Sequence, residues 1–401
     1  MGGPHRAGTS ERPLIVRGAV EFAPWHGAWG RLAAAAGADD PWHQSEWLEA
    51  AWTYPGKPMV LALLARTDGE LSAGVALCRR WESGGLVRAP VRGVHNLPHL
   101  PYLYPTCSVA AARPELAPDA AVRLAESGFG CLSWDALLVS HCDDRSRWYE
   151  NAVQAVARAR GWQVRECDWS SEAVLDFDDG PDAYWDTRSG HMRRKLNAGE
   201  RGLAAQGEVR FRDLAADGLP WTECWAALED IYRRSWQKGA GLSPFDPPWG
   251  DLNRTGLEPF HRRGQLLPLV LTLAGRPIAF DLWLAGGTSL YGLARGMDPA
   301  YRDDSAGGVL ARRSLEYAHA RGFRREFLGP VNDQPHFAYK QRWLTRTGDP
   351  RMLIVSRPRS WYGALEGAFA RDSALARLWT RHRLGERLRD GFARVRRWRR
   401  R

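Results

Sequence analysis

Tyr301-Arg302-Asp303-Asp304-Ser305-Ala306-Gly307-Gly308-Val309-Leu310 stands where a strand pattern gives way to a helix pattern. Three apolar runs precede it, PLVLTLAG (Pro268 to Gly275), RPIAFDLWLAG (Arg276 to Gly286) and SLYGLARGM (Ser289 to Met297), which predict consecutive strands joined at glycine turns. The helix entered here is expected to stop at Gly322. FRREFLG (Phe323 to Gly329) then predicts a strand, and PHFAYKQRW (Pro335 to Trp343) opens a further helix with proline near its first turn. The first N–H groups of a helix lack internal acceptors, and the macrodipole adds positive potential there. Glycines at that point allow an anion to approach closely. A helix start capped by Ser305, with two small residues kept for packing, accounts for the same letters equally well.

Outward from this stretch, the two halves of the chain echo each other. ALLARTDGELSAGVAL, a hairpin with an Asp-Gly turn, faces VLTLAGRPIAFDLWL in the second half. CLSWDALLV (Cys131 to Val139) predicts a strand, Ser146 to Gly161 a helix and WQVREC (Trp162 to Cys167) another strand. Residues 84 to 118 are rich in Pro, Gly and His and are expected to be a long irregular excursion with short strands, where His95, His99, Tyr102 and Tyr104 could line a groove. In the second half, HMRRKLNAGERGLAAQG (His191 to Gly207) predicts a basic helix with Ser189 as N-cap, and Trp221 to Trp236 another. A loop is expected from Gly239 to about Asn253. The expectation is a mixed α/β protein with domains over 14–180 and 181–358 and a basic helical tail over 359–401.

Composition limits what such a chain does. The net charge of +10 is concentrated in residues 381–401, where ten Arg face only Glu386 and Asp390, so the body offers no general polyanion surface and nucleic acid is not an expected partner. Six cysteines lie scattered without metal-ligand spacing, which predicts neither a metal site nor a disulfide framework and suits a reduced, cytoplasmic setting. The N-terminal residues lack the apolar core of a signal peptide, and no stretch approaches the ~18 apolar residues of a membrane span.

The ordered phrases HMRRKL, GRPIAF, MDPAYRDDSAGGVLARRSLEYAHARGF and FLGPVNDQPHFAYKQRW, together with strand, R-x-x-x-x-G-G loop, helix, strand, resemble the acyl-CoA-binding core of the GNAT acetyltransferase superfamily. Within it the chain is similar to the BioF2-like and CelD-like branch, related to the FemAB peptidyltransferases with their tandem GNAT-like halves. The resemblance implies two GNAT-like halves, each a mixed twisted sheet flanked by helices. It also implies an acetyl-CoA or other acyl-CoA donor, held by Arg302, Ser305, Ala306, Gly307, Gly308 and Val309, and an amine or hydroxyl acceptor from the cell envelope or a polysaccharide precursor. In the usual loop the glycines are separated, whereas Gly307 and Gly308 are adjacent.

Acyl transfer from a thioester needs a base for the attacking amine, polarisation of the carbonyl oxygen and a proton for the thiolate. Tyr339 is the expected acid, because a phenol reaches a thiolate while staying neutral. Lys340, one of only four lysines, resembles the lysine of the FemAB-like Tyr/Phe-Lys pair and would bind an acceptor anion or steady developing charge. Asp281 and Glu326, on predicted strands, could relay a proton, and His191, Arg193, Arg194 and Lys195 could bind an anionic acceptor. Plain structural roles fit each of these residues too. Two rival functions stay open: an aminoacyl-tRNA-dependent peptidyltransferase, and a non-catalytic binding protein. The arginine-rich amphipathic stretch 381–401 is expected to touch anionic membrane without crossing it.

Overall fold

The computed structural model describes residues 11–54, 58–83, 90–95, 108–142, 145–168, 171–235, 237–238, 244–247, 249–331, 339–348 and 351–357. The expected tail, and His99, Tyr102 and Tyr104 of the Pro-rich excursion, lie outside them.

The first lobe opens with β1 (Arg12–Val16), α1 (Ala19–Phe22), α2 (His26–Ala35), a turn of 3-10 helix (Pro41–His43) and α3 (Ser45–Trp52). It continues through β2 (Met59–Ala65), β3 (Leu71–Ser83), β4 (Pro90–His95), β5 (Ala110–Ala112), α4 (Pro118–Cys131), β6 (Ala136–Cys142), α5 (Arg147–Ala159) and β7 (Gln163–Asp168). The second lobe holds β8 (Ser171–Asp176), α6 (Pro181–Asp186), α7 (Gly190–Gln206), β9 (Val209–Asp213), α8 (Trp221–Arg234), α9 (Trp249–Arg262), β10 (Leu266–Leu273), β11 (Arg276–Gly286) and β12 (Ser289–Met297). Last come α10 (Ala306–Ala320), β13 (Arg325–Val331), β14 (Arg346–Gly348) and β15 (Arg351–Ser356).

The two sheets have one topology. The first runs β1-β2-β3-β4-β6-β15-β7 and the second, read from its other edge, β9-β10-β11-β12-β13-β8-β14. Position by position the β2–β3 hairpin matches β10–β11, and the parallel pair β4–β6 matches the parallel pair β12–β13. The echo seen in the sequence is therefore a structural repeat of a mixed α/β unit. The boundary expected at 180 does not divide the strands, however. β8 precedes it in sequence but lies in the second sheet, and β15 returns from the far end of the chain to fill the slot between β6 and β7.

Hydrophobic patterning explains the layers. Every residue of β2 and of β10 is buried, as expected of strands covered on both faces. A shared core joins the lobes, with Trp29, Trp42 and Trp47 of the first packing among Phe260, Phe280 and Tyr291 of the second. Gly69 adopts φ +81° in the first hairpin turn, where Asp68 accepts from the Glu70 N–H, as an Asp-Gly turn requires.

Three expectations need correction. α4 occupies Pro118–Cys131, so Cys131 ends a helix instead of opening a strand; small residues, including buried Ala120, Ala121, Ala125 and Gly128, mask its apolar stripe. α9 begins at Trp249, inside the expected loop, and tolerates Pro259 within its length. The segment after β13 shows a 3-10 turn at Lys340–Arg342 in place of an α-helix there.

Candidate active site

β12 and β13 pair in parallel over only three residues, Ser289 to Tyr291 with Arg325 to Phe327. Beyond that point β13 turns towards β8, with an irregularity between Phe327 and Pro330, while β12 continues beside β11 to Met297. The strands separate and expose the interior of the sheet between them. Arg295 lies in this gap. Its guanidinium pairs with Asp281 of β11, and its Nη2 donates to Glu326 Oε1 of β13 at 3.1 Å. Ser314 of α10 donates to the other oxygen of Asp281 at 3.2 Å, covering the network from above.

A guanidinium held between two buried carboxylates stays charged, and its pKa is raised because both neighbours outweigh the cost of burial. Glu326 behaves oppositely. Burial pushes it up to about 7, with Asp281 adding to the rise and Arg295 opposing it. Lys340 is also buried. Its Nζ donates to the Leu328 carbonyl at 2.5 Å, and burial, with Arg295, lowers its pKa to about 8. Glu172 of β8, buried beneath the same region, is raised to about 8 by burial, opposed by Lys340 and Arg346.

A cavity of about 350 Å³ opens in front of Arg295, with Tyr339, Arg342 and Trp343 on one side and Arg302, Ser305, Gly307 and Gly308 on the other. Tyr339 is 38% exposed at its rim. Its phenol is raised above the usual value, chiefly by burial, with Asp281 and Glu326 adding and Arg295 opposing, so it remains protonated at neutral pH. Ser305 stands at φ +53°, a left-handed conformation costly for a residue with a side chain, and its Oγ is buried without a partner. The N–H groups of Gly308 and Val309 turn back to the Ser305 carbonyl, while those of Ala306 and Gly307 have no backbone acceptor among the described residues. This helix start thus presents the free N–H of Gly307, an unpartnered hydroxyl and the charge of Arg302 to the cavity. These are the donors an anionic pyrophosphate would need.

The structure sorts the expected donor residues. Arg302, Ser305, Gly307 and Gly308 line the cavity, but Ala306 and Val309 are buried in the core beneath α10. Gly308 has a packing task as well, because a Cβ there would stand 2.6 Å from Leu196 Cδ2 of α7. α7 approaches still more closely at Gly199, where a Cβ would meet the Asp304 carbonyl oxygen at 2.2 Å. Of the expected catalytic residues, Tyr339 alone lines the cavity. Asp281 and Glu326 stand behind Arg295, and Lys340 is tied to the β13 backbone away from the cavity, which corrects its assignment as an acceptor ligand. His191 and Lys195 line a second, adjoining cavity of about 590 Å³ together with Arg188, Met192 and Arg342, whereas Arg193 and Arg194 do not line it and Arg193 pairs with Asp186 at 3.2 Å.

Arg295 was missed in the sequence because its place depends on register. Counting back from the Gly286–Ser289 turn places Ala294 opposite Asp281. A bulge at Leu293 shifts the register by one residue and puts Arg295 there instead. Glu172 was invisible for another reason: β8 crosses from one lobe to the other, which no local pattern reports.

Residues 190–341 match the family described as acetyltransferase (GNAT) domain. Among solved structures, FemX aligns with a TM-score of 0.55 at 11% identity, over 84% of this chain and 97% of its own. L-PGS from Bacillus licheniformis gives 0.47 at 11%, over 85% and 95%, and a tandem GNAT protein from the clavulanic acid biosynthesis pathway 0.44 at 12%, over 86% and 98%. No curated protein matches. The repeated sheet, the splayed parallel pair, the family match and the likeness to FemX give the chain a fold of two GNAT-like lobes. The match to the acetyltransferase (GNAT) domain falls within the second lobe, from α7 to the 3-10 turn beside Tyr339.

Proposed function

We propose that the second lobe transfers an acyl group from acyl-CoA to an amine or hydroxyl, with the thioester lying between the α10 entry and Tyr339. The observation carrying this reading is that one cavity brings together the free N–H of Gly307, the Arg295 guanidinium and the protonated Tyr339 phenol. Each suits one need of the reaction. The α10 entry and Arg302 hold the pyrophosphate, Arg295 stabilises the oxygen formed as the amine or hydroxyl adds to the carbonyl carbon, and as the C–S bond breaks Tyr339 gives its proton to the thiolate and regains one from the attacking nitrogen or oxygen. A phenol with a raised pKa is a weak acid, and a thiolate accepts that proton only where burial has raised the basicity of the thiolate too. Glu326 is a positioning residue: once ionised, it holds the Arg295 guanidinium together with Asp281.

The test is Tyr339→Phe. Turnover with acetyl-CoA should fall about 10²- to 10⁴-fold, the range of general acid catalysis, while coenzyme A affinity by calorimetry stays within about twofold. Undiminished turnover removes Tyr339 from the chemistry. Absence of coenzyme A binding to the unaltered protein rejects the donor assignment, and turnover with an aminoacyl-tRNA then identifies the peptidyltransferase alternative, which the alignment with FemX along 97% of its length favours in fold.

A further inference from the structure

The larger cavity, about 590 Å³, adjoins the reaction cavity and shares Met192, Lys195 and Arg342 with it. Its rim carries Arg188, His191, Lys195 and Arg342 beside the hydroxyls of Thr187 and Ser189, and no carboxylate lines either cavity among the described residues. That is unusual for this surface. Arg193, one turn from the rim, pairs with Asp186, Arg312 with Glu316 and Arg313 with Glu200, yet Lys195, Arg302 and Arg342 have no acidic partner among the described residues. Arg188 is fixed as well as charged. Its Nη1 donates to the carbonyls of Leu344 at 2.7 Å and Trp343 at 3.3 Å, and its guanidinium lies 4.8 Å from the centre of the Tyr184 ring.

We infer that this outer cavity is the acceptor subsite, and that it takes an acceptor bearing a phosphomonoester. The inference rests on the acyl-transfer reading only for the word acceptor; the anion site stands on its own geometry. Lys195 and Arg342, whose charge meets no carboxylate among the described residues, together with the immobilised Arg188 match a dianion. A single carboxylate would leave most of that charge uncompensated. A phosphomonoester carries a charge near −2 at neutral pH and three acceptor oxygens, which the Arg342 guanidinium, the Lys195 ammonium and the Ser189 hydroxyl satisfy together, the Thr187 hydroxyl being already donated to the Tyr184 carbonyl. Because Lys195 and Arg342 stand on the wall between the cavities, an anion bound to them leaves the rest of the acceptor directed towards Tyr339.

The test uses three small amines that differ only in their anion: phosphoethanolamine, ethanolamine and β-alanine, titrated calorimetrically at ~0.15 M salt with and without coenzyme A. Phosphoethanolamine should bind at least about tenfold more tightly than the other two. Lys195→Ala and Arg342→Gln should each abolish that preference, and Arg194→Ala, outside the cavity lining, should keep it. Equal binding of the three amines overturns the proposal, as does the same loss in Arg194→Ala. So does a Lys195→Ala variant that loses coenzyme A affinity and keeps the phosphate preference, which would give the cavity to the donor. A phosphate preference with no turnover of acetyl-CoA instead leaves this site standing and rejects the acyl-CoA reading.

Discussion

α4 and α10 occupy equivalent places, each crossing between the parallel strands of its own sheet, but their entries differ in kind. α4 begins Ala117-Pro118-Asp119. The proline has no N–H to offer, and the Asp119 carboxylate already meets the helix dipole and pairs with Arg123 at 2.5 Å. α10 begins Ser305-Ala306-Gly307-Gly308, with the Gly307 N–H free and a cavity in front of it. One unit has thus been built twice, and the second copy keeps an entry fit for an anion while the first has closed its own. The difference lies in three or four side chains, whereas the sheets that carry them are the same.

That contrast is exposed to experiment, first at Arg295. Arg295→Met leaves Asp281 and Glu326 buried without their partner, and loss of one member of a buried ionic group costs about 3–5 kcal/mol. Urea denaturation at pH 7.5 should show it, and the cost should shrink at pH 5, where Glu326 is protonated in the folded protein. An equal loss at both pH values would remove Glu326 from the network.

A smaller effect is expected where α7 meets the α10 entry. Gly199→Ala drives a methyl to 2.2 Å from the Asp304 carbonyl oxygen, which is backbone and cannot swing aside, so α7 must move away from the α10 entry. Overpacking of this kind costs about 1–3 kcal/mol, and coenzyme A affinity should fall with it. Gly128→Ala in α4 meets only the end of the Leu77 side chain and should be milder in thermal denaturation.

Glu326 also sets a pH dependence. Its folded pKa of about 7 lies above the usual carboxylate range, so the folded protein binds the extra proton and the contribution of this group to stability falls as pH rises from about 4.5 to 7. Activity should move the other way, because only the ionised carboxylate steadies Arg295. kcat/KM should rise through pH 7, and Glu326→Gln should flatten that limb while leaving coenzyme A affinity unchanged. A limb that persists in the variant belongs to another group. The least effect is expected from Asp119→Asn, which alters the closed entry of α4 and should leave donor binding and turnover as they are.

How much of this was legible in the sequence follows from the range of the interactions. The β10, β11 and β12 strands and the α10 entry are written locally, in alternation, Gly turns and small residues, and they stand as expected. α4 was not legible, because alanines and glycines that pack as tightly as leucines carry little periodic signal. Tyr339 could be placed at the cavity by resemblance. The separation of Lys340 from it could not, since that depends on whether the chain turns as an α-helix or a 3-10 helix at one residue. Arg295 needed a bulge to be known, and Arg188 and Arg342 needed two distant loops brought side by side.

The exchange of β8 and β15 sets the order in which this chain can be finished during synthesis. The first sheet is complete only when residues 351–356 have left the ribosome, because β15 lies in its interior between β6 and β7. Until then roughly half the protein waits with an open slot and two unpaired strand edges, a state that invites holdase binding or pairing with a neighbouring chain. A nascent chain interrupted before Arg351 is therefore expected to be degraded or to aggregate even though every residue of its first 168 is present. Proofreading follows without a dedicated device: the first lobe is complete only in a chain whose second lobe has already been translated.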